Sequence, residues 1–310
     1  MLSEPSTPDA SSLLLAYNRA MNTTDANTIL HADLLRLAKV GDFGGASLIV
    51  SQNEIPAKIC SQALEMAASE GHAPCVSLLA PLSFPHAIAT CLLLAVKNAR
   101  PECVKILAAA SNAQSLYHAL LSAASLGQVE CVKLLILVAP LEPSGRWSPL
   151  LRAAASGHAE CVKLLIPLFD PKADMSIVLR WAASSGHAEC VKLLIPVSEP
   201  KVSDALRLAA SRGHAECLKL LIPVSDPLIE RDGILSQSLA AGHANTTAIL
   251  LDCEPRLIEA VNLFESLSEA QASGHFELAE LLSSIIDRQI LTETVPEGCQ
   301  GPSLSLGVRL

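Results

Sequence analysis

The segment Gly-His-Ala-Glu-Cys-Val-Lys-Leu-Leu-Ile-Pro decides the fold, because the chain carries it repeatedly. It occurs without change at residues 157–167 and 186–196, and with Leu218 in place of valine at 213–223. Six weaker copies surround these three. The leading glycine, or its substitute Ala99, therefore recurs at positions 41, 71, 99, 127, 157, 186, 213, 242 and 274. Nine copies at a near-constant interval predict a solenoid of stacked units rather than separate globular domains.

Each unit is predicted to hold two short helices. A leucine lies seven residues before the leading glycine, and small residues, mostly alanine, lie three and four before it, which makes one helical face. The glycine is expected to end this first helix in the left-handed conformation. The second helix carries an apolar stripe, Cys161, Val162, Leu164 and Leu165 in one unit, and Pro167 is expected to stop it. Neither helix buries its apolar face alone, so the units must stack.

This pattern resembles ankyrin repeats over about residues 31–286. Ser148-Pro149-Leu150-Leu151 is similar to the Thr-Pro-Leu-His opening of an ankyrin unit, Ala153-Ala154 to its alanine pair, Gly157-His158 to its turn, and Val162 with Leu164-Leu165 to its second helix. Most units are shorter than the usual 33 residues, and the missing residues come from the link that normally forms a β-hairpin. The resemblance implies an all-α, ankyrin-like α-solenoid of about nine helix pairs with few or no β-hairpins.

The two ends of the chain differ from the repeats. We predict an N-terminal extension over residues 1–30 with a possible short helix near 11–21, a repeat array with a C-terminal cap over 31–290, and a disordered tail over 291–310. The segments outside the array are too short for an enzyme core. The chain is therefore expected to be a non-catalytic protein-interaction scaffold, and an enzyme is disfavoured.

Charge and hydropathy exclude two further classes. Residues 223–310 hold 13 acids and 4 bases, while residues 1–222 hold 18 of each. No stretch is basic enough to follow a phosphate backbone, so we expect no nucleic-acid partner. Residues 71–96 and 106–129 are uncharged and long enough to cross a bilayer. Proline, histidine, asparagine and serine interrupt both of them, and we expect no membrane span.

The cysteines and the N-terminus indicate the compartment. The opening residues MLSEPSTPDASS carry two acids and no basic segment, so we expect no secretory signal peptide. The ten cysteines are then expected to be free thiols in a reducing compartment, and the protein to be a cytoplasmic monomer. Short units of this kind resemble bacterial ankyrin proteins, some of which enter host cells. The alternative is therefore an effector delivered into a host cell that acts by binding host proteins.

Histidine and cysteine recur three residues apart, which raises the question of a metal or a nucleophile. The pairs are His72/Cys75, His158/Cys161, His187/Cys190 and His214/Cys217. Zinc needs ligands within about 2.0–2.3 Å, whereas equivalent side chains on adjacent helices are about 8–10 Å apart. A cysteine protease needs one cysteine that differs from the others, with a positioned base. We therefore expect histidines that cap the turn and buried cysteines, and no catalytic, cofactor or metal site.

Surface recognition is the function that remains. The recurrent Glu/Lys pairs of the second helix, such as Glu160/Lys163, predict a solvated face with weak ion pairs. In a solenoid the partner usually lies along the concave face, which the first helices line. Tryptophan and arginine most often dominate binding energy, and they cluster in the middle units. We predict that a protein partner of unknown identity binds Arg146, Trp147, Arg152, Arg180, Trp181 and Arg207. The alternative is that each tryptophan fills a gap between helices and the arginines flank it in solvent.

Overall fold

The computed structural model describes residues 24–139, 149–168, 175–198, 202–225, 231–253 and 261–294. It divides into two units, Met1–Ala173 and Asp174–Leu310. Within the described ranges all regular secondary structure is helical, with no strand, which confirms the predicted all-α class. The possible helix near 11–21 and residues 295–310 of the predicted tail lie outside the described residues.

The first unit contains five helix pairs among its described residues. They are α1 (Thr24–Val40) with α2 (Phe43–Gln52), α3 (Ala57–Glu70) with α4 (Ala73–Leu79), α5 (Pro85–Lys97) with α6 (Pro101–Ala109), α7 (Ala113–Ser125) with α8 (Val129–Ile136), and α9 (Pro149–Ala155) with α10 (Ala159–Leu165). Helix α1 begins seven residues before position 31, where the sequence places the start of the array.

The second unit contains four further pairs in its described part. They are α11 (Met175–Ser184) with α12 (Ala188–Leu194), α13 (Ser203–Ser211) with α14 (Ala215–Leu221), α15 (Arg231–Ala240) with α16 (Ala244–Cys253), and α17 (Leu263–Ala272) with α18 (Phe276–Thr294). Helix α18 extends past position 290, the predicted end of the array. The predicted nine helix pairs are all found within the described ranges.

The joint inside each pair is a left-handed residue at the predicted position. Eight of these residues are glycines with positive φ, for example Gly186 at +79°. The ninth is Ala99, at φ +54°, the single non-glycine residue with positive φ in the described part of the chain. A Cβ in this conformation meets the following carbonyl oxygen, which is why glycine is preferred there. The left-handed conformation at the joint thus explains why a glycine recurs in eight of the nine repeats.

Stacking of like helices builds the core of each unit. In the first unit α1, α3, α5, α7 and α9 pack in succession, and α2, α4, α6, α8 and α10 do the same. The second unit repeats this arrangement with α11, α13, α15 and α17 and with α12, α14, α16 and α18. Cys161, Val162 and Leu165 are fully buried, and so are their counterparts Cys190, Val191 and Leu194. The apolar stripe that the sequence predicts is the core of the stack.

Histidines of the Gly-His joints, among them His72 and His214, connect neighbouring pairs within a unit. The Nε2–H of His72 donates to the carbonyl oxygen of Lys39 over 3.0 Å, and that of His214 donates to Ser184 over the same distance. The rings lie against the glycine of the preceding pair. These bonds satisfy a carbonyl that is left free at the end of a first helix. The histidine therefore caps the first helix of the preceding pair. From the sequence it was expected to cap its own turn.

The proline at the end of the second helix does not stop the helical path at once. The α-helical pattern ends two residues earlier, and a single 3₁₀ turn follows, as in Ile166–Leu168 and Ile195–Val197. Proline lacks the N–H that an α-helical bond requires, yet its fixed φ suits the first turn of a helix. The second α-helix therefore ends before Pro167, as expected, and the 3₁₀ turn that follows it is the feature that the sequence did not predict.

The eighth helix pair, α15 with α16, has polar residues in its core where the other pairs have apolar ones. Thr246 and Thr247 occupy the positions of cysteine and valine, and Ser238 of α15 faces them. All three are fully buried. The Ser238 hydroxyl lies 2.8 Å from both threonine hydroxyls. Mutual hydrogen bonds offset the cost of burying these polar groups.

None of the described helices combines the length and the apolar character that a membrane span requires.

Candidate protein-interaction surface

The exposed faces of five second helices, α6, α8, α10, α12 and α14, repeat the same glutamate and lysine. In α8 the Lys133 ammonium lies 2.7 Å from the Glu130 carboxylate, and in α14 Lys219 and Glu216 are the same distance apart. All four side chains are exposed, so each ion pair contributes a few tenths of a kcal/mol. A face that repeats the same compensated charges offers little to distinguish one site from another.

The exposed faces of the first helices differ from pair to pair. The positions five and six residues before the joint carry Met66 in α3, Leu93 in α5, Arg152 in α9, Trp181 in α11 and Arg207 in α13, and all five are exposed. The buried positions of the same helices repeat leucine and alanine. The first helices therefore bury the same residue types and differ from one another on one exposed face.

In the second unit the structure brings three of the predicted binding residues onto adjacent helices. Trp181 is 48% exposed on α11. Its neighbour Arg180 lies 3.5 Å from a carboxylate oxygen of Asp204 on α13, and Arg207 lies 3.3 Å from the other. We call Arg180, Trp181, Asp204 and Arg207 the tryptophan face. Asp204, which the sequence reasoning missed, orients both arginines and halves their net charge.

The other predicted binding residues lie elsewhere. Arg152 belongs to the first unit, where it is exposed on α9. Arg146 and Trp147 lie outside the described residues. Arg152 lines a cleft of about 600 Å³ that α5, α7 and α9 form. Four leucines, Leu93, Leu94, Leu121 and Leu126, line the same cleft, together with Lys97 and His118. We call these residues the leucine cleft.

A second cleft, of about 480 Å³, lies between α1, α3 and α5. Its lining combines Leu35, Met66 and Leu94 with one base, Lys39, and two acids, Glu65 and Glu70. The first helices of this unit thus border open, partly apolar clefts whose charge changes along the stack. The sequence contained a signal for these clefts, because Met66 and Leu93 occupy the variable positions before the joint.

The cysteines have the environment of core side chains rather than of nucleophiles. Eight of the nine described cysteines are buried. Burial, with a smaller contribution from the Glu65 charge, raises the pKa of the Cys91 thiol to about 12. Burial and the adjacent Glu160 raise the pKa of Cys161 to about 11. A reactive cysteine needs a lowered pKa, since the thiolate is the nucleophile.

The His-x-x-Cys pairs do not form metal sites in the described part of the chain. The His158 Nε2 is used in a 2.9 Å bond to the Ser125 carbonyl oxygen, while Cys161 is fully buried in the core. No group of three or more potential ligand side chains converges among the described residues. The pairs therefore serve stacking and packing.

The stack of helix pairs with left-handed joints defines the class of the molecule as a helical repeat protein. The sequence matches the family described as ankyrin repeats (3 copies) over residues 64–144, 92–178, 120–204 and 179–257. These segments together cover more than half of the chain, which belongs to the ankyrin repeat family. Ankyrin repeats are generally protein–protein interaction modules and are typically non-catalytic.

Known structures agree on the fold. The ankyrin repeat domain of human ASB11 superposes with a TM-score of 0.51 at 21% sequence identity, covering 63% of this chain and 99% of that domain. At this identity the likeness concerns the fold alone. No curated protein matches the chain in sequence.

Proposed function

We propose that the chain is a non-catalytic scaffold that binds a protein partner along the exposed faces of its first helices, the concave face of an ankyrin array. The observation that carries this proposal is Trp181, which is 48% exposed on α11 while the neighbouring Leu179 and Ala182 are fully buried. A large aromatic side chain gains most when a partner removes it from water. Its exposure beside a closed core supports a role as a binding anchor.

The arginines of the tryptophan face support the same proposal. Arg180 and Arg207 approach one carboxylate, that of Asp204, from two helices, and both keep more than two fifths of their side-chain surface exposed. A shared carboxylate reduces the freedom of both guanidinium groups before binding, so less entropy is lost when a partner arrives. Their partly exposed guanidinium groups suit acidic or carbonyl groups of a partner.

The wider surface in this proposal includes Arg146, Trp147 and Arg152 as well. We propose that the protein acts as a monomer in the cytoplasm. The buried thiols support a reducing compartment, since eight described cysteines fill core positions of eight different helices.

The test compares Trp181→Ala with Lys192→Ala. Lys192 is exposed on the neighbouring second helix α12 and serves as the matched control. A partner captured with the intact chain is purified, and its affinity is measured by isothermal titration calorimetry. Trp181→Ala is expected to weaken binding by about 2 kcal/mol, or roughly 30-fold, and Lys192→Ala to leave it within about twofold.

Thermal unfolding of the same variants decides between the two roles of the tryptophan. A binding anchor leaves the unfolding midpoint of Trp181→Ala close to that of the parent chain. A loss of about 3–5 kcal/mol of stability would make Trp181 a core residue and overturn its role as anchor. Unchanged affinity would overturn it equally.

A further inference from the structure

The leucine cleft is an apolar surface that its own helices leave open. Leu93 is 39% exposed and Leu126 is 45% exposed, whereas Leu92 and Leu120, which occupy the core positions of α5 and α7, are fully buried. Leu94 and Leu121 complete the floor. Leu126 is exposed because it follows the last residue of α7 and lies next to the Gly127 joint, away from the stacked face. Leucines from α5, from α7 and from the residue that follows α7 thus line one cleft.

The charges around this patch have a single sign. Lys97 and Arg152 line the cleft together with His118, and no carboxylate is found among its described lining residues. Lys97 forms no ion pair with any described residue. The neighbouring cleft between α1, α3 and α5 contains two acids and one base instead. Residues 1–222, which include the cleft, hold 18 acids and 18 bases, so a cleft whose charged lining residues are all basic is a local excess of positive charge. It favours an acidic occupant.

The dimensions and the lining of the cleft indicate which secondary structure a bound segment would have. The cleft extends across three successive first helices, a span of about 16–20 Å at the usual helix spacing. This is the length of about 11–13 residues of α-helix. An extended peptide would need a sheet edge to pair with, and a polyproline segment would need aromatic grooves. The described part of the chain has no strand, and leucine rather than aromatic rings forms the floor.

We propose that the leucine cleft binds an amphipathic α-helix of a protein partner, with apolar residues against Leu93, Leu121 and Leu126 and acidic residues toward Lys97 and Arg152. The apolar side chains at positions i, i+3, i+4 and i+7 of that helix supply the buried area. The acidic flanks fix its placement and accelerate its association. This inference names the chemistry of a partner and rests on the proposed function as a protein-binding scaffold, but it uses a different unit from the tryptophan face.

The experiment uses the full chain and two synthetic 18-residue peptides with the same leucine face. One peptide has glutamate on both flanks and the other has lysine, and each is labelled with fluorescein for anisotropy titration. The glutamate peptide is expected to bind saturably at one site. The lysine peptide is expected to bind at least tenfold more weakly. Absence of saturable binding by the glutamate peptide, or equal binding of the two peptides, would overturn the proposal.

Two pairs of variants locate the bound peptide. Lys97→Glu is expected to weaken the glutamate peptide at least fivefold, and Lys105→Glu, the same charge change on α6, by less than twofold. Equal effects of the two changes would show that binding depends only on the net charge of the chain. That result would contradict binding in the leucine cleft. The double variant Leu93→Gln with Leu126→Gln keeps the charge and is expected to weaken binding at least tenfold. Circular dichroism checks that each variant remains helical, and a folded double variant with unchanged affinity would also contradict the cleft.

Two further measurements separate this inference from the proposed function. Trp181→Ala is expected to leave peptide affinity unchanged, and loss of peptide binding in that variant would place the peptide on the tryptophan face instead. Light scattering of the chain alone is expected to give the mass of one chain. A dimer that Leu93→Gln dissociates would make a second copy the occupant and overturn the proposal of a partner helix. Either failure leaves the Trp181 test of the scaffold function standing.

Discussion

The first and second helices of the array differ in how much their exposed faces vary from one repeat to the next. Second helices such as α10 and α12 share one sequence, bury Cys, Val and Leu at equivalent positions, and expose the same Glu and Lys. First helices such as α9 and α11 bury the same leucine and alanine, yet expose Arg152 in one case and Trp181 in the other. Repetition of the core makes the stack possible, and variation on a single face leaves room for specific binding. Changes in the shared core should therefore affect stability, and changes on the variable face should affect binding.

The largest expected effect is in the shared core. Leu165→Ala removes a fully buried side chain of α10 and is expected to lower the free energy of unfolding by about 2–5 kcal/mol. Lys163→Ala, two residues away on the exposed face, is expected to change it by less than about 0.5 kcal/mol. Urea denaturation followed by circular dichroism measures both. Similar costs for the two changes would contradict the assignment of these faces.

The joint between the two helices should be nearly as sensitive. In Gly186→Ala the new Cβ would lie 2.6 Å from the His214 Nδ1. The left-handed conformation costs about 1–2 kcal/mol, and loss of the His214 bond to the Ser184 carbonyl adds about 1 kcal/mol. A total loss of about 2–3 kcal/mol is expected. Gly233→Ala, within α15 and with open space around it, serves as the control and should stabilise the chain by about 0.5–1 kcal/mol.

The eighth pair tests what happens when the shared core is polar. Ser238→Ala removes the hydroxyl that bonds both buried threonines and is expected to cost about 1–3 kcal/mol, because a buried polar group loses its partner. The triple change to alanine at 238, cysteine at 246 and valine at 247 restores the apolar pattern and is expected to recover the loss. If the triple variant is less stable than Ser238→Ala, the hydroxyl cluster is better packed than its apolar equivalent. The exposed Ser268→Ala is the control.

The smallest expected effect lies at the one joint that lacks glycine. Ala99→Gly relieves the strain of an alanine at φ +54°, and the added freedom of the unfolded chain offsets part of the gain. A net stabilisation of about 0.5–1 kcal/mol is expected. Ala109→Gly, at the end of α6, should destabilise instead by a similar amount. A shift of the unfolding midpoint in the same direction for both variants would contradict the strain at Ala99.

Most of the fold could be predicted from the sequence, because its determinants repeat. The joints at Gly186 and Ala99, the buried stripe through Cys161 and the absence of strands in the described residues follow from spacing and residue type. The 3₁₀ turn around Pro167 did not follow, since the same proline can end a helix or begin a tighter one.

The surface was harder to predict, because contacts between pairs depend on how far each helix is rotated against the next. Spacing along the chain does not fix that rotation. Asp204 therefore could not be placed between Arg180 and Arg207 from the sequence, and the leucine cleft could not be recognised from Leu93 alone. Residue type alone favoured tryptophan and arginine as binding residues. Trp181 is exposed in the structure, while Arg146 and Trp147 lie outside the described residues.

The partner is expected to bind the exposed faces of the first helices and not those of the second helices. Replacing the exposed residues of one set of helices at a time is the most direct test of this expectation. One variant replaces the exposed first-helix residues Met66, Leu93, Arg152, Trp181 and Arg207 with alanine, and the other replaces the exposed second-helix lysines Lys105, Lys133, Lys163, Lys192 and Lys219 with glutamine. Calorimetric titration with the captured partner is combined with thermal unfolding of each chain. We predict that the first variant loses at least about 100-fold in affinity, because it removes several binding anchors at once, while its unfolding midpoint is retained, and that the second keeps its affinity. Retained affinity in the first variant, or an equal loss in both, would contradict the account.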